Sequence, residues 1–291
     1  MLTQKEFKTQ VETIIKERYP LFKIEEVKKN NEVLTGITMY QTEKEECVPV
    51  IYIEHMYERY IHNMDLSISC FLDMYIREGM KRYDTYKNFT IDSYLTREYI
   101  FNNTIPQLIG YEKNAEYIRE KNIPYYRWND LAVIPRLINI EFEEDGKGSL
   151  ILTHNMLNFL NISLDELWEQ VNRNASYSDY DTYYVDELIT PYKSSSIYCV
   201  LGMEEYGANV LLVPHIFGSI ADSIQDDLYI FPVSVTEGIF VLPVKHWNHK
   251  DANQMLHTAY ECALATSPKY ALTKTIYKYE RSTEKITMLN V

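Results

Sequence analysis

At 291 residues, 46% hydrophobic and 24% charged, the chain has the composition of a folded soluble protein, long enough for one large domain or two modest ones. Its 29 Lys and Arg stand against 42 Asp and Glu, and the net charge of −13 disfavours phosphate backbones and anionic membranes as partners. No run approaches the roughly 18 apolar residues of a membrane span, and the polar start Met1-Leu-Thr-Gln-Lys-Glu-Phe7 does not read as a signal peptide.

In chain order, Thr3 is set to cap a helix reaching about Arg18, with Phe7, Val11, Ile14 and Ile15 as its apolar stripe and Tyr19-Pro20 as its stop. Phe22–Val27 and Val33–Tyr40 alternate as strands around an Asn30-Asn31 turn, and Val48–Ile53 is a further strand candidate. Met56, Tyr60 and Ile61 carry a helical period, and Leu66–Lys81 forms a second helix. Ser93–Phe101 suits helix or strand, a short helix spans Glu112–Lys121, and Leu131–Phe142 with Ser149–Thr153 makes a hairpin about Asp145-Gly-Lys-Gly148. Ile105-Pro-Gln-Leu-Ile109 and Ile134-Pro-Arg-Leu-Ile138 look alike, but two copies do not make a repeat array. His154–Leu160 and Ser163–Asn174 are helical, the second opened by a Ser163/Glu166 capping box.

From Ala175 to Ser196 the composition turns to Ser, Asp and Tyr, which marks 176–196 as a linker between an N-terminal region, 1–175, and a C-terminal module, 197–291. Its Tyr177, Tyr180, Tyr183 and Tyr184 form a candidate contact surface within a chain that holds 26 tyrosines. The C-terminal module opens with a strand at Ile197–Leu201. Asn209–Val213 reads as its hairpin partner, or alternatively Ala208–Val213 forms the first turns of one helix reaching Gln225. Pro214 suits a helix start, and Ile216, Phe217, Ile220 and Ile224 give that helix its buried face. Strands at Leu228–Phe231 and Ile239–Val244, a helix at Asp251–Ala265, and a hairpin of Tyr270–Tyr279 with Lys285–Leu289 complete a ββαββ-α-ββ order. The expected fold class is α+β, with antiparallel or mixed sheets and packed helices.

Several of these segments carry a resemblance. Leu108-Ile-Gly-Tyr-Glu-Lys-Asn114, Ile151-Leu-Thr-His-Asn155, Gly207-Ala-Asn-Val-Leu-Leu-Val-Pro214, Phe231-Pro-Val-Ser-Val-Thr-Glu237 and Thr275-Ile-Tyr-Lys-Tyr279 resemble an uncharacterised bacterial family of cytoplasmic proteins from gut anaerobes. The likeness spans roughly residue 50 to the C-terminus, and a second uncharacterised bacterial family is more distantly similar. The resemblance implies a cytoplasmic setting and assigns no activity. It also implies a Pro-Ser-Ser-x-His-Glu turn, whereas Val233 and Thr236 stand here in place of a serine and the histidine. A catalytic Ser/His/Glu site at that turn would therefore lack its base.

Chemistry-bearing patterns are sparse. His246 and His249, three apart with Asp251 nearby, are the one metal-like cluster, and they lack the H-E-x-x-H spacing. Asp222, Asp226 and Asp227 sit at a helix C-terminal end, where carboxylates oppose the dipole and are expected to be solvated. Neither a G-x-S-x-G elbow nor a phosphate-binding glycine loop occurs. Cys47, Cys70, Cys199 and Cys262 are far apart beside apolar residues, as buried reduced thiols of the cytoplasm are. No cofactor is expected. The leading expectation is a non-enzymatic cytoplasmic protein whose sheet edge or tyrosine-rich surface binds another protein. The alternative is a hydrolase-like enzyme using the 232–237 turn, with Ser234 or Thr236 as hydroxyl and Glu237 as acid or orienter. An acidic mimic of DNA is a third.

Overall fold

A computed structural model describes residues 2–39, 49–62, 66–86, 89–142, 146–176, 180–184, 197–202, 206–236, 238–266 and 268–289. The fold is α+β, built from antiparallel sheets and packed helices. It divides into two compact units, residues 1–94 with 141–146, and residues 95–140 with 147–291.

In the first unit, α1 (Gln4–Arg18) starts at a full capping box, in which Thr3 Oγ1 accepts the Glu6 N–H and the Glu6 carboxylate accepts the Thr3 N–H at 2.7 Å. Strands β1 (Phe22–Lys29), β2 (Glu32–Met39) and β3 (Val50–Tyr52) form an antiparallel meander with β3 at one edge. The register pairs Lys29 with Glu32, so Asn30-Asn31 is a two-residue turn, and Asn31 takes the left-handed φ of 62° that asparagine tolerates. Helices α2 (Ile53–Tyr60) and α3 (Ile68–Tyr86) follow. Phe7, Val11 and Ile15 of α1 bury against Ile37, Ile51, Met56, Phe71 and Leu72, which spreads this core over both helices and the sheet.

The second unit begins with α4 (Arg97–Asn103), β4 (Thr104–Gly110) and α5 (Tyr111–Glu120). Strands β5 (Tyr126–Trp128), β6 (Leu131–Phe142) and β7 (Gly146–Ile151) follow, with β6 paired to β4, β5 and β7. The two look-alike segments are strand partners, with Pro106 facing Pro135. That pairing is tolerated because the Pro135 carbonyl points away from β4, accepting the Leu152 N–H at 3.1 Å, so the missing amides fall at a non-hydrogen-bonded position. Asparagines meet outward carbonyls of edge strand β4. Asn174 Nδ2 donates to the carbonyls of Thr104 at 2.7 Å and of Phe101 in α4 at 2.9 Å, and the buried Asn209 Nδ2 donates to that of Pro106.

Next come α6 (His154–Phe159) and α7 (Leu164–Ser176), the latter opened by the expected Ser163/Glu166 box. A six-stranded antiparallel sheet then assembles from β8 (Asp181–Tyr184), β9 (Tyr198–Leu201), β10 (Leu228–Phe231), β11 (Ile239–Pro243), β12 (Tyr277–Glu280) and β13 (Lys285–Met288), in the order β13-β12-β10-β11-β9-β8. Helices α8 (Pro214–Ile224) and α9 (His249–Thr266) connect its strands.

The structure differs from the sequence reading in four places. Asn209–Val213 is not a hairpin strand: Gly207–Leu212 is a 3₁₀ helix, ended at Val213 before α8. Its Ala208, Asn209, Val210 and Leu211 are all buried, whereas a strand would turn alternate residues to opposite faces. The partner of β9 is instead β11, pairing Val200 with Ile239. The compact division does not fall at 176–196, because β8 pairs with β9 across part of that stretch and Leu108, Leu131 and Val133 share one core with Val210, Phe217, Ile230 and Tyr277. The final hairpin is shorter than expected, with β12 starting only at Tyr277. Cys199 is buried, but Cys70 and Cys262 are exposed, since helix positions beside apolar residues in sequence still turn to the outer face; Cys47 lies outside the described residues.

Candidate functional site

The 232–236 segment is stitched into the second unit from both sides. Leu272 N–H bonds the Val233 carbonyl at 2.9 Å, Val235 N–H bonds Tyr270, Ala208 N–H bonds Val235, and Ser234 bridges to Ala271. Ser234 is buried, its Oγ accepting the Thr236 N–H at 3.3 Å and lying 3.4 Å from Thr236 Oγ1, the local loop a serine side chain makes with its own turn. His215 and His246, the histidines closest to supplying a base in the hydrolase reading, are both solvent-exposed, on α8 and on the turn after β11. Glu237 lies outside the described residues.

The tyrosine cluster is placed in part. Tyr180 is half-buried against the core and donates its hydroxyl to the Ala175 carbonyl at 3.1 Å. Tyr183 and Tyr184 pair with Cys199 and Tyr198 along β8, the last strand at one edge of the six-stranded sheet. Tyr177 lies outside the described residues. Elsewhere tyrosines serve as core, with Tyr277 and Tyr279 among the largest fully buried side chains.

His246 and His249 do not converge on a site: His249 opens α9 with its ring edge-on to Tyr229, and among the described residues no group of three His, Cys, Asp or Glu could hold a metal ion. The three aspartates near the end of α8 are tied down rather than merely solvated. Asp227 pairs with Lys278 at 2.7 Å and accepts the Arg281 N–H, Asp222 pairs with Arg281, and Asp226 accepts the Lys245 N–H at 2.7 Å. The Lys278 ammonium is the main reason the Asp227 carboxyl titrates below its ordinary range.

Two clefts have the dimensions of binding sites, and neither is visible in any contiguous motif. The larger, about 440 Å³, lies in the second unit. Half-buried Tyr126 and Trp128 of β5 and Leu211 and Leu212 of the 3₁₀ helix give it apolar walls, and Asn172 of α7 adds a polar group. Its remaining side is Glu284, Lys285, Ile286 and Thr287. Successive strand residues point to opposite faces, so Lys285, Ile286 and Thr287 all lining a single cleft means that the edge of β13 faces it. Among the described residues no strand pairs with that edge, where β13 ends the sheet. Leu289 N–H bonds the Ile276 carbonyl at 3.0 Å, which fixes the hydrogen-bonding phase. Lys285 and Thr287 therefore turn their backbone groups to β12, and Ile286 and Met288 turn theirs outward.

The wall behind this cleft is rigidly held. Asn129-Asp130 is the two-residue turn between β5 and β6, with Asn129 left-handed at φ 55°. The Asp130 carboxylate accepts hydroxyls from Thr273 at 2.6 Å, Thr275 at 2.9 Å and Tyr277. These three donors sit two apart, on one side of an extended segment. Burial, and then the Asp130 charge, hold the Tyr277 phenol far above its ordinary pKa, and the Trp128 ring packs 5.0 Å from that of Tyr277. Trp168 meets Tyr126 edge-on at 4.8 Å on the other side.

The smaller cleft, about 310 Å³, lies in the first unit along edge strand β3. His55 and Arg59 come from one face of α2, and Tyr75, Glu78 and Arg82 from one face of α3. Arg82 pairs with Glu78 at 3.1 Å, both groups largely exposed. The Lys29 ammonium lies 4.3 Å from the centre of the Tyr52 ring. Among the described residues the buried Tyr75 hydroxyl has no hydrogen-bond partner, a state costing about 1–3 kcal/mol.

Compared with known proteins, residues 4–281 match a family of unknown function, DUF5688. No curated protein matches, and no solved structure matches.

Proposed function

The chain belongs to the DUF5688 family of unknown function, and from its geometry we propose that it is a non-enzymatic protein-binding module of the bacterial cytoplasm that takes an extended segment of a partner along β13. The cytoplasm of gut anaerobes is the setting its sequence resemblance implies. Among the described residues no helix is long and apolar enough to cross a membrane.

One observation carries this reading: the open edge of a six-stranded sheet faces an aromatic-walled cleft. An extended peptide placed there pairs with the outward backbone groups of Ile286 and Met288, which supplies affinity without regard to sequence. Its alternate side chains turn toward Tyr126, Trp128 and Leu212, which selects apolar or aromatic residues. The wall is preorganised by the Asp130 network, so little ordering is required on binding. The hydroxyls of the 232–236 turn are engaged locally and lend the hydrolase alternative no support.

Selection of a displayed peptide library on the purified full chain tests this. The expected ligands are extended sequences with apolar residues at alternate positions, binding in about the micromolar range. Met288→Pro removes an outward amide and leaves the β12 ladder intact, so it should abolish binding while the protein stays folded. Trp128→Leu should weaken it by about 2 kcal/mol, as for a buried aromatic anchor. Peptides that bind both variants as well as the parent would sink the proposal, as would a catalytic turnover abolished by mutating one residue of either cleft.

A further inference from the structure

We propose that the partner's extended segment runs antiparallel to β13 and carries, directly after the apolar residue that faces Ile286, an acidic residue and then a basic one, read by Lys285 and Glu284. This inference rests on the peptide reading above and adds the direction and the charge pattern of the ligand.

Backbone phase makes the first part of the argument. Every strand pair of the six-stranded sheet is antiparallel, and antiparallel pairing lets one ligand residue take both outward backbone groups of Ile286. Ile286 packs with Tyr126 and Trp128 on the core, so the residue facing it turns to the same side and is apolar. Lys285 spends its backbone groups on β12 and therefore stands, toward the ligand, at a non-hydrogen-bonded position. Opposing Cα atoms there approach to about 4.5 Å, the closer of the two antiparallel spacings. The side chain set opposite Lys285 is thus brought against it.

Charge makes the second. Lys285 lies across β12 from Glu280, but that carboxylate is already 3.6 Å from the Lys278 ammonium and accepts the Thr283 hydroxyl at 3.3 Å. Among the described residues neither Lys285 nor Glu284 forms an ion pair, and both are exposed and line the cleft. Glu284 is fixed by its backbone, at a left-handed φ of 55° with its N–H on the Glu280 carbonyl at 2.8 Å. One cation and one anion, a residue apart, therefore meet successive residues of any chain laid along this edge.

That step supplies what the apolar walls lack. An apolar residue at every second position reads the same in both directions and after a slip of two, whereas an acidic-basic step reads once. Opposite charges directly across a sheet stabilise and like charges destabilise, so the matched order gains at both positions where the reversed order loses at both. Such complementarity fixes register more than it adds affinity.

Calorimetric titration of the full chain with two end-blocked peptides of one composition tests the proposal: acetyl-Thr-Val-Thr-Phe-Glu-Lys-Thr-amide, and the isomer with Glu and Lys exchanged. The first should bind about fivefold more tightly. The double variant Glu284→Lys/Lys285→Glu should keep its melting temperature, since both positions are exposed, and should invert the preference. Salt at about 0.5 M should narrow it in either protein. Equal affinities, or a preference that the double variant leaves in place, overturn the charge pattern and leave the peptide reading standing, as do tight ligands from the displayed library that lack the acidic-basic step. If neither the isomers nor any displayed peptide binds, the peptide reading fails and this inference falls with it.

Discussion

The two units treat their polar groups in opposite ways. In the second, polar groups near the cleft are met within the chain: Asp130 takes three hydroxyls, and Asn174 and Asn209 donate to the Thr104 and Pro106 carbonyls of β4. Its cleft is walled by rings and an open strand edge. In the first, the cleft carries charged side chains and a hydroxyl that has no partner among the described residues. A saturated network is rigid and presents shape, while an unsaturated one presents chemistry. The difference sets an aromatic-walled cleft with a hydrogen-bonded wall in the second unit against a charged cleft in the first.

The comparison is most exposed at Asp130. Asp130→Ala strands the hydroxyls of Thr273 and Tyr277, both buried, and should cost about 3 kcal/mol or more. All three tryptophans, Trp128, Trp168 and Trp247, lie in the second unit, so denaturant unfolding followed by tryptophan fluorescence reads that unit alone. A loss under about 0.5 kcal/mol would break the claim that these groups are structural. Gly238→Ala sharpens the same side with a smaller effect. Its Cβ would stand 2.6 Å from the Val200 carbonyl and 2.5 Å from a Leu201 methyl, so β9 and β11 must separate, at about 2 kcal/mol by the same fluorescence measurement.

The elements were legible in the sequence where a local rule governs them, and illegible where distant residues do. Both capping boxes, the Asn30-Asn31 hairpin and the stripe of α8 follow from spacing and turn chemistry alone. The run Ala208–Val213 misled because a short apolar stretch has no period to distinguish strand from helix. What decided it was Asn209 reaching Pro106, 103 residues earlier. The grouping of 95–140 with the C-terminal elements is set likewise, by contacts such as Thr273 to Asp130 across 143 residues. Both clefts belong to this second class. Trp128, Leu212 and Ile286 meet only in the folded chain, and nothing in the sequence marks Tyr75 as a tyrosine whose hydroxyl has no partner among the described residues.

The smallest effect separates the two units by a single side chain. Each holds the same capping box, Thr3 with Glu6 on α1 and Ser163 with Glu166 on α7, and the cap lowers both carboxyls. Only Glu166 also receives the Arg97 guanidinium, and it titrates at about 2 against an ordinary 4.5. Because the folded value is depressed, its contribution is fully present above the ordinary value and is lost as pH falls from there through about 2. The stability gap between the parent and Glu166→Gln should therefore be constant near neutrality and close across that acid window. The Ser163 N–H and hydroxyl outrank Arg97 as causes, so Arg97→Ala should return the carboxyl only part of the way in an NMR titration, leaving it depressed by the cap as Glu6 is. A return to the ordinary value would mean that the ion pair, not the box, fixes this carboxylate, and that the two caps are alike in sequence only.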